Sequence, residues 1–318
     1  MQIFRLAPGN PARIFPDAVP HSAVFLLGCF DGVHTGHQTL LSRARAMAEN
    51  HVPVVVWTME NHKKASVQSG LLTTAEEKLA LFHRFGADYA VLENFEDLCG
   101  LDGRTFFETH IIAPFSPSAV VCGENFRFGK NAACGADDLS AFAKQADIRC
   151  TVCSLLTSQS TPVSSTEIRK KILAGDVKSA HALLGYPYTV TAPVLHGKAL
   201  GRTIGCPTVN QRLPKEKVMP ARGVYACTVS FTQNGTDFTR QGVCNIGSRP
   251  TVNADESDIT LETFILDFSA DLYGLPLTTR LYDRIRGEQA FADVHALSEQ
   301  IRRDAETART LLAGVPLL

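Results

Sequence analysis

Residues 28–37 constrain the fold of this chain more than any other stretch, and they read Gly-Cys-Phe-Asp-Gly-Val-His-Thr-Gly-His. The apolar run at residues 23–27 is short enough to be a buried strand. After the motif, apolar side chains recur at helical spacing as far as residue 49. The sequence therefore predicts a strand, a glycine-rich turn and a helix, in that order.

A turn of this kind is predicted to bind an anion. Glycines let the backbone approach a ligand closely, and the start of a helix offers free N–H groups and the positive end of the helix dipole. His34 and His37 lie on one side of the first helical turn, where both could donate hydrogen bonds to one phosphate group. Such donors suit a transition state that spreads charge over phosphate oxygens.

The pattern alone leaves other interpretations of these residues open. Glycine-rich strand-to-helix turns occur in many doubly wound proteins that bind different ligands. The two histidines could bind a metal, although neither HExxH nor zinc-type cysteines surround them. They could also be surface histidines without a role.

Composition narrows the class of protein. Its 45% hydrophobic and 20% charged residues are typical of a globular chain. With a formal net charge of −1, it has no overall field to attract nucleic acid or an anionic membrane. The sequence lacks both a membrane-length apolar run and a signal segment, so we expect a cytoplasmic protein without nucleic-acid or membrane partners. The nine scattered cysteines do not indicate a disulfide framework, and the CxxC pair at residues 150–153 is interpreted as structural.

Residues 1–185 alternate predicted strands and helices, which indicates a doubly wound, Rossmann-like parallel sheet. The expected strands are residues 23–27, 52–57, 87–92, 119–122 and 148–156. Ligands of such sheets bind beyond the carboxyl ends of the strands, where residues 28–37 fall.

Three further segments are predicted at the same edge: residues 58–62, 123–130 and 162–169. Residues 123–130 are not a Walker A loop, because the glycine spacing is wrong. In the last segment, Ser164 and Glu167 can form a capping box. The same helix start would present hydroxyl groups and Arg169 to ATP phosphates, and both roles can hold together.

From residue 186 the pattern becomes β-rich, and we place the domain boundary there. Asn234-Gly235 is a strong turn signal between two strands of a hairpin. Further strands are expected near residues 188–195, 259–268 and 277–285. An amphipathic helix is expected over residues 290–312. Antiparallel strands with one covering helix predict a small β-barrel.

A second candidate site lies in this β-rich half. Thr208 and Asn210 offer a hydroxyl and a carbonyl oxygen, which are suitable ligands for Mg²⁺ carrying ATP phosphates. Pro207-Thr-Val-Asn is also an ordinary turn sequence. Glu262 interrupts an otherwise apolar strand, so it is either on a solvated face or a general base at the mouth of the barrel.

These motifs resemble two enzyme groups, one through a single motif and the other through the whole set. Residues 28–37 resemble the GxFDGxHxGH signature of nucleotidyltransferases that transfer AMP from ATP. Over nearly the whole chain, the motifs resemble the bacterial bifunctional riboflavin kinase/FAD synthetases. The segments that carry this resemblance are residues 28–37, 123–129, 164–169, 201–210, 223–226, 245–251, 262–274 and 286–291.

The resemblance implies two linked reactions, with riboflavin, FMN and ATP as substrates and Mg²⁺ as the cofactor. Residues 186–318 would phosphorylate riboflavin, and residues 1–185 would adenylylate FMN to FAD. The catalytic residues that it implies are Glu262, His34, His37, Asn125 and Arg169. The implied ATP-binding residues are Gly28, Phe30, Asp31, Gly36, Ser164, Ser165, Thr166, Gly201, Arg202, Thr208 and Asn210, of which the last two would bind the metal. The implied flavin-binding residues are Glu60, His62, Arg286 and Glu288.

The sequence departs from the family pattern at three places. Residues 58–63 read Thr-Met-Glu-Asn-His-Lys where the family has Thr-Phe-x-Pro-His-Pro, which predicts a more flexible loop. Cys206 and Val209 replace a Phe and an Ala of the kinase motif, which predicts altered nucleotide affinity.

Two rival functions are a nucleotidyltransferase with another acceptor and a flavin- or nucleotide-sensing protein without catalysis. Glu262, Thr208 and Asn210 argue against the first rival, because a passive module needs neither a base nor metal ligands. The same three residues, together with His34 and His37, argue against the second. Nothing in the sequence specifies an oligomeric state.

Overall fold

The computed structural model describes residues 1–5, 22–49, 52–60, 70–158, 161–197, 201, 205–248 and 259–316. The chain divides into two compact units, Met1–Ser165 and Thr166–Leu318. In the described ranges, no helix is both long enough and apolar enough to cross a membrane.

The first unit is built on a parallel sheet, which has six strands in the part of the chain that the structure describes. The strands of this unit are β1 (Gln2–Arg5), β2 (Val24–Leu27), β3 (Val54–Met59), β4 (Tyr89–Glu93), β5 (Ala119–Gly123), β6 (Arg127–Phe128), β7 (Cys134–Gly135), β8 (Arg149–Cys153), β9 (Thr157–Ser158) and β10 (Thr161–Pro162). The order in the sheet is β1-β4-β3-β2-β5-β8, and all neighbours are parallel. The pairs β6–β7 and β9–β10 form short antiparallel ribbons.

Helices cover both faces of this sheet, and each face has its own core. The helical segments are α1 (Thr35–Met47), α2 (Ala75–Arg84), α3 (Phe95–Leu98), α4 (Gly103–Phe106), a π-helix (Phe107–Ile112), α5 (Ala113–Phe115), a 3₁₀ turn (Lys130–Ala132) and α6 (Ala136–Gln145). Along β2, Phe25 and Leu27 pack in one core while Val24 and Leu26 pack in the other. Burial on both faces explains why the strands are continuous apolar runs in the sequence.

The predicted parallel sheet is confirmed, and among the described residues it has one strand more than was predicted. β1 was not predicted, because four residues at the sheet edge carry no clear pattern. The π-helix within residues 103–115 was also not predicted. A capping box begins α2, since Thr74 and Glu77 exchange side-chain and backbone hydrogen bonds.

The second unit is built on an antiparallel sheet. Its strands are β11 (Tyr188–Pro193), β12 (Thr208–Arg212), β13 (Gly223–Gln233), β14 (Thr236–Ser248), β15 (Ile259–Ile265) and β16 (Pro276–Arg286). The order is β11-β16-β13-β14-β15-β12. Just after β11, the Leu195 amide donates to the Asn210 carbonyl on β12 at 2.7 Å. The two ends of the sheet therefore meet, and the sheet curls into the expected small barrel.

Among the described residues of this part of the chain, the helices with given bounds are α7 (Ser165–Leu173), α8 (Val177–Leu184) and α9 (Val294–Leu311). α9 is the predicted C-terminal helix, and its Ala305 and Ala308 pack with Val224 and Val243 of the sheet. β12 was not predicted as a strand, because Pro207-Thr-Val-Asn suggested a turn.

Candidate active sites

The turn after β2 has an unusual backbone. Phe30, Gly32 and Val33 have positive φ angles of 52°, 80° and 33°. This region is costly for side chains such as Phe and Val and persists only where the surroundings impose it. Asp31 supplies one constraint, because its buried carboxylate accepts a hydrogen bond from the Leu72 amide at 2.9 Å.

Two further contacts hold the same turn. The Gly32 amide donates to the Thr73 hydroxyl at 3.1 Å. The Ser165 hydroxyl donates to the Asp31 carbonyl at 2.8 Å. The structure therefore brings together Asp31 and Ser165, which were both predicted to contact ATP. Ser164, the residue before, is half-buried.

Gly28 and Gly36 are needed because aromatic rings lie against their backbones. A Cβ atom on Gly28 would lie 2.7 Å from the Phe30 ring. A Cβ atom on Gly36 would lie 3.2 Å from the His34 ring. The Phe30 ring in turn makes an edge contact with His37, with 5.1 Å between centroids. Phe30, which was predicted to bind ATP, thus packs against His37, which was predicted to be catalytic.

His34 and His37 lie together at the start of α1, as predicted. Burial lowers the pKa of His34 to about 4. Burial, together with the nearby His34 and Lys78, lowers the pKa of His37 well below its ordinary value of 6.5. Both imidazoles are therefore neutral at pH 7. The Nδ1 atoms of both rings are buried without a hydrogen-bond partner among the described residues, so each ring carries an unused polar atom.

Lys78 of α2 is a residue of this site that sequence reasoning missed. Its Nζ donates to the carbonyl oxygens of Cys29 and Met59 and to the Thr58 hydroxyl. The sequence held one signal: Lys78 lies one turn before Phe82, on the apolar stripe of the helix.

The remaining predicted residues of the first half are less closely associated. Asn125 is exposed beyond β5, and its Oδ1 folds back toward Gly123. Glu60 follows β3, and its backbone amide donates to the Glu93 carbonyl at 2.9 Å. Thr166 and Arg169 lie on α7, in the second unit. His62, predicted to bind flavin, lies outside the described residues.

In the second unit, one row of side chains crosses five strands. Asn210 of β12 lies opposite Glu262 of β15, and Glu262 lies opposite Asn245 of β14. Asn245 lies opposite Val224 of β13, which lies opposite Arg286 of β16. Directly opposed residues of antiparallel strands point to the same face of the sheet. Glu262 is thus flanked by two amide side chains, and Asn245 had not been predicted as a site residue.

A cavity of about 210 Å³ lies on this face. Thr208, Asn245, Glu262, Arg286 and Glu288 all line it, so it gathers predicted ATP, base and flavin residues. A second cavity, of about 470 Å³, is lined by Pro207, Thr208 and Tyr273. Thr208 lines both cavities.

Arg286 is held by α9, a contact that sequence reasoning missed. Its guanidinium pairs with the Asp304 carboxylate, with Nη2 to Oδ2 at 2.8 Å and Nε at 3.1 Å from both oxygens. Asp304 is 2% exposed, and the Gln300 amide also donates to it at 2.9 Å. The guanidinium is also 5.7 Å from the Phe291 ring. These contacts fix the orientation of Arg286 at the cavity.

The predicted metal ligands have suitable chemistry. Thr208 and Asn210 are two apart on β12, so their side chains share a face. Asn210 is buried and lies against the backbone of Gly197, where a Cβ atom would be 2.5 Å from its amide nitrogen. A hydroxyl oxygen and an amide oxygen are hard donors that fit Mg²⁺.

Gly201 and Cys206, which both precede β12, contact each other. Gly201 accepts a hydrogen bond from the Cys206 amide at 2.8 Å, and a Cβ atom at Gly201 would be 2.3 Å from the Cys206 carbonyl oxygen. Arg202, predicted to bind ATP, lies outside the described residues. Within the described ranges, no group of three or more His, Cys, Asp or Glu side chains could hold a metal ion. A metal at this site would be bound mainly through the Thr and Asn oxygens and the nucleotide.

Comparisons with known proteins match both halves. Residues 17–167 match the family model described as FAD synthetase, and residues 184–312 match the model described as riboflavin kinase. The bifunctional riboflavin kinase/FMN adenylyltransferase of Listeria monocytogenes is 33% identical over 299 residues, which cover 91% of this chain and 92% of that protein. The protein of the same name from Escherichia coli K12 is 32% identical over 298 residues, which cover 92% of this chain and 93% of that protein.

One solved structure is similar over nearly the whole chain. It is described as a macrolide-efflux protein from Streptococcus pneumoniae, and it has a TM-score of 0.85 and 30% identity. The match covers 97% of this chain and 99% of that structure. The two family models that match this chain both describe enzymes. We therefore use the solved structure only for its similarity of fold and infer no transport role from its description.

Proposed function

The chain belongs to the family of bifunctional riboflavin kinase/FMN adenylyltransferases, and we propose on that premise that it makes FAD from riboflavin in two steps. The first step transfers the γ-phosphoryl group of ATP to riboflavin and gives FMN. The second joins FMN to the AMP moiety of a second ATP and releases pyrophosphate. The observation that carries the proposal is that one site holds a carboxylate beside a cavity and the other holds two neutral imidazoles at a helix start.

We assign adenylyl transfer to residues 1–185 and the kinase reaction to residues 186–318. This division follows the candidate residues, which lie between positions 28 and 169 for one site and between 201 and 304 for the other. The kinase cavity is lined only by residues of the second range.

In the kinase reaction, the nucleophile is a ribityl hydroxyl group, which keeps its proton at neutral pH and gains from a base. Glu262 takes that proton as the hydroxyl oxygen bonds to the γ-phosphorus and the bond to the β-phosphate oxygen breaks. Asn210 and Asn245 flank the carboxylate and restrict its position. Arg286 and Glu288 contact the flavin from the far side of the row.

Thr208 and Asn210 would hold Mg²⁺ with ATP, and the metal when bound neutralises charge on the phosphates. The same two side chains orient the nucleotide, since Asn210 is buried against Gly197 and cannot swing freely.

In adenylyl transfer, the acceptor is a phosphate group that is already ionised, so this site needs no base. A phosphate oxygen of FMN attacks the α-phosphorus of ATP, and pyrophosphate leaves. His34 and His37 donate N–H groups to the phosphate oxygens, with Asn125 and Arg169 as further donors. Gly28, Phe30, Asp31 and Gly36 shape the nucleotide-binding turn, and Glu60 and His62 contact the flavin.

The test is a chromatographic time course of the purified protein with riboflavin, ATP and Mg²⁺, resolving riboflavin, FMN and FAD. FMN appearing first and FAD later is the expected result. FMN without FAD would refute adenylyl transfer. The absence of both products would refute the proposal and favour a binding protein.

A further inference from the structure

Lys78 is a buried lysine of the first unit that takes no part in either proposed reaction. The residue is 1% exposed. Its Nζ donates to the Met59 carbonyl at 2.8 Å, and to the Cys29 carbonyl and the Thr58 hydroxyl at 3.3 Å each. Three acceptors satisfy the three N–H groups of an ammonium ion.

These acceptors belong to two different segments at the mouth of the parallel sheet. Cys29 lies in the nucleotide-binding turn, between Gly28 and Phe30. Thr58 and Met59 end β3 and lead directly to Glu60. The Thr58 hydroxyl also donates to the Cys29 carbonyl at 3.0 Å, so the two segments are joined both directly and through Lys78.

Thr58 and Met59 begin a loop that departs from the family pattern. Residues 58–63 lack the two prolines of that pattern, each of which would restrict the backbone. A buried ammonium that binds the Met59 carbonyl restrains the start of this loop by hydrogen bonding instead.

We propose that Lys78 is a positioning residue for adenylyl transfer, whose ammonium group holds the turn that carries His34 and His37 against the end of β3. The proposal rests on the proposed function, since it assumes that the first unit makes FAD. Lys78 touches no reacting atom in this account.

The surroundings of Lys78 have opposing effects on its pKa. Burial lowers its pKa from 10.5 to about 8, against the opposing effect of Cys29, Asp31 and Glu60. His37 also faces it, and the charge of Lys78 helps to keep that imidazole neutral. At pH 7 Lys78 is thus largely an ammonium ion, and it loses its charge as the pH rises through about 8.

The first test is a pH profile of the wild-type protein. The rate of FAD formation from FMN is expected to fall on the alkaline side with an apparent pKa near 8. FMN formation from riboflavin, measured in the same samples, is expected to lack that decline. Cys29 cannot cause it, because the pKa of its thiol is raised above 9.0.

The free energy of unfolding distinguishes this fall in the rate of FAD formation from alkaline unfolding. The pKa of Lys78 is lower in the folded chain than in the unfolded chain, so the unfolded state binds more protons between pH 8 and 10.5. The contribution of Lys78 to the free energy of unfolding therefore rises over the range in which FAD formation falls.

The second test replaces the residue. Lys78→Met should lower kcat for FAD formation by about 10- to 100-fold, and its residual rate should show no decline near pH 8. Lys78→Arg stays charged, so its decline should move to a higher pH. The matched control is Lys217→Met, which removes a buried lysine bound to the Thr189 carbonyl and should keep the wild-type decline.

Each outcome decides the proposal. A wild-type profile without a decline near pH 8, or a Lys78→Met protein with wild-type kcat and profile, overturns it while the proposed function stands. Loss of the fluorescence signal of the buried Trp57 would reveal a Lys78→Met protein that does not fold. In that case the pH profiles of the wild type and of Lys78→Arg still test the proposal. A wild-type protein that forms no FAD overturns both this proposal and the proposed function.

Discussion

The imidazole rings of His34 and His37 stack with their centroids 3.6 Å apart and 19° between their planes. Two imidazolium ions at this separation would repel each other strongly in a buried site. Burial keeps both rings neutral, so any N–H group that they offer to a phosphate is that of a neutral imidazole and not of a cation. Positive charge near bound phosphates must then come from the helix start, from a metal or from other side chains.

The neutral pair should make the first unit sensitive to acid. His34 has a pKa of about 4 when folded and an ordinary value of 6.5, so below pH 6.5 the unfolded chain binds a proton that the folded chain does not. The free energy of unfolding should therefore fall as the pH drops, by up to about 3 kcal/mol for this residue. His34→Gln should weaken this dependence. Urea unfolding between pH 4 and 7, followed by fluorescence of the single, buried Trp57, measures it.

His83→Gln is the matched control for that experiment, because His83 is an exposed histidine of the same unit. It should keep the full acid dependence. An equal slope for wild type and His34→Gln would contradict the burial account.

Gly28→Ala should impair FAD formation through packing alone. The added Cβ would lie 2.7 Å from the Phe30 ring, and displacing that ring moves the His37 imidazole that it contacts. We expect kcat for FAD formation to fall by about 10-fold or more, because small displacements of catalytic groups cost this much. Gly100→Ala, at a position with no atom within 4 Å of a Cβ, should have no effect. Steady-state assays with FMN and ATP compare the two variants, and equal rates would refute the packing argument.

Asp304→Asn should weaken flavin binding at the kinase site. It leaves the guanidinium of Arg286 without its carboxylate partner, which we expect to cost about 3 kcal/mol of stability and to raise the KM for riboflavin about 10-fold. FAD formation from supplied FMN should not change.

Asp267→Asn is its counterpart, since it breaks an ion pair with Arg309 at 2.8 Å whose carboxylate is 72% exposed. Exposed pairs contribute little. If both variants raised the KM equally, Asp304 would have no special link to the cavity.

The sequence predicted the features that depend on local pattern. The strand, turn and helix around residues 28–37 follow from apolar periodicity and glycines, and the spacing of His34 and His37 places both on one side of a helix. Continuous apolar runs identified the parallel strands. A carboxylate in an apolar strand singled out Glu262.

The features that were missed depend on contacts between distant residues. Asn210 and Asn245 flank Glu262 only because of the pairing register of three strands, which no local pattern specifies. Asp304 meets Arg286 across the packing of α9 on the sheet. Lys78 looked like an ordinary helix residue, although its neighbour Leu79 and its turn-mate Phe82 are buried.

If two separate sites on this chain perform successive reactions, reciprocal variants should each abolish one reaction and spare the other. Glu262→Gln should lower FMN formation by about 100-fold or more while FMN is still converted to FAD. The double variant His34→Ala, His37→Ala should form FMN at the wild-type rate but lower FAD formation by about 100-fold or more. Loss of both activities in either variant, with the protein still folded, would contradict the two-site account.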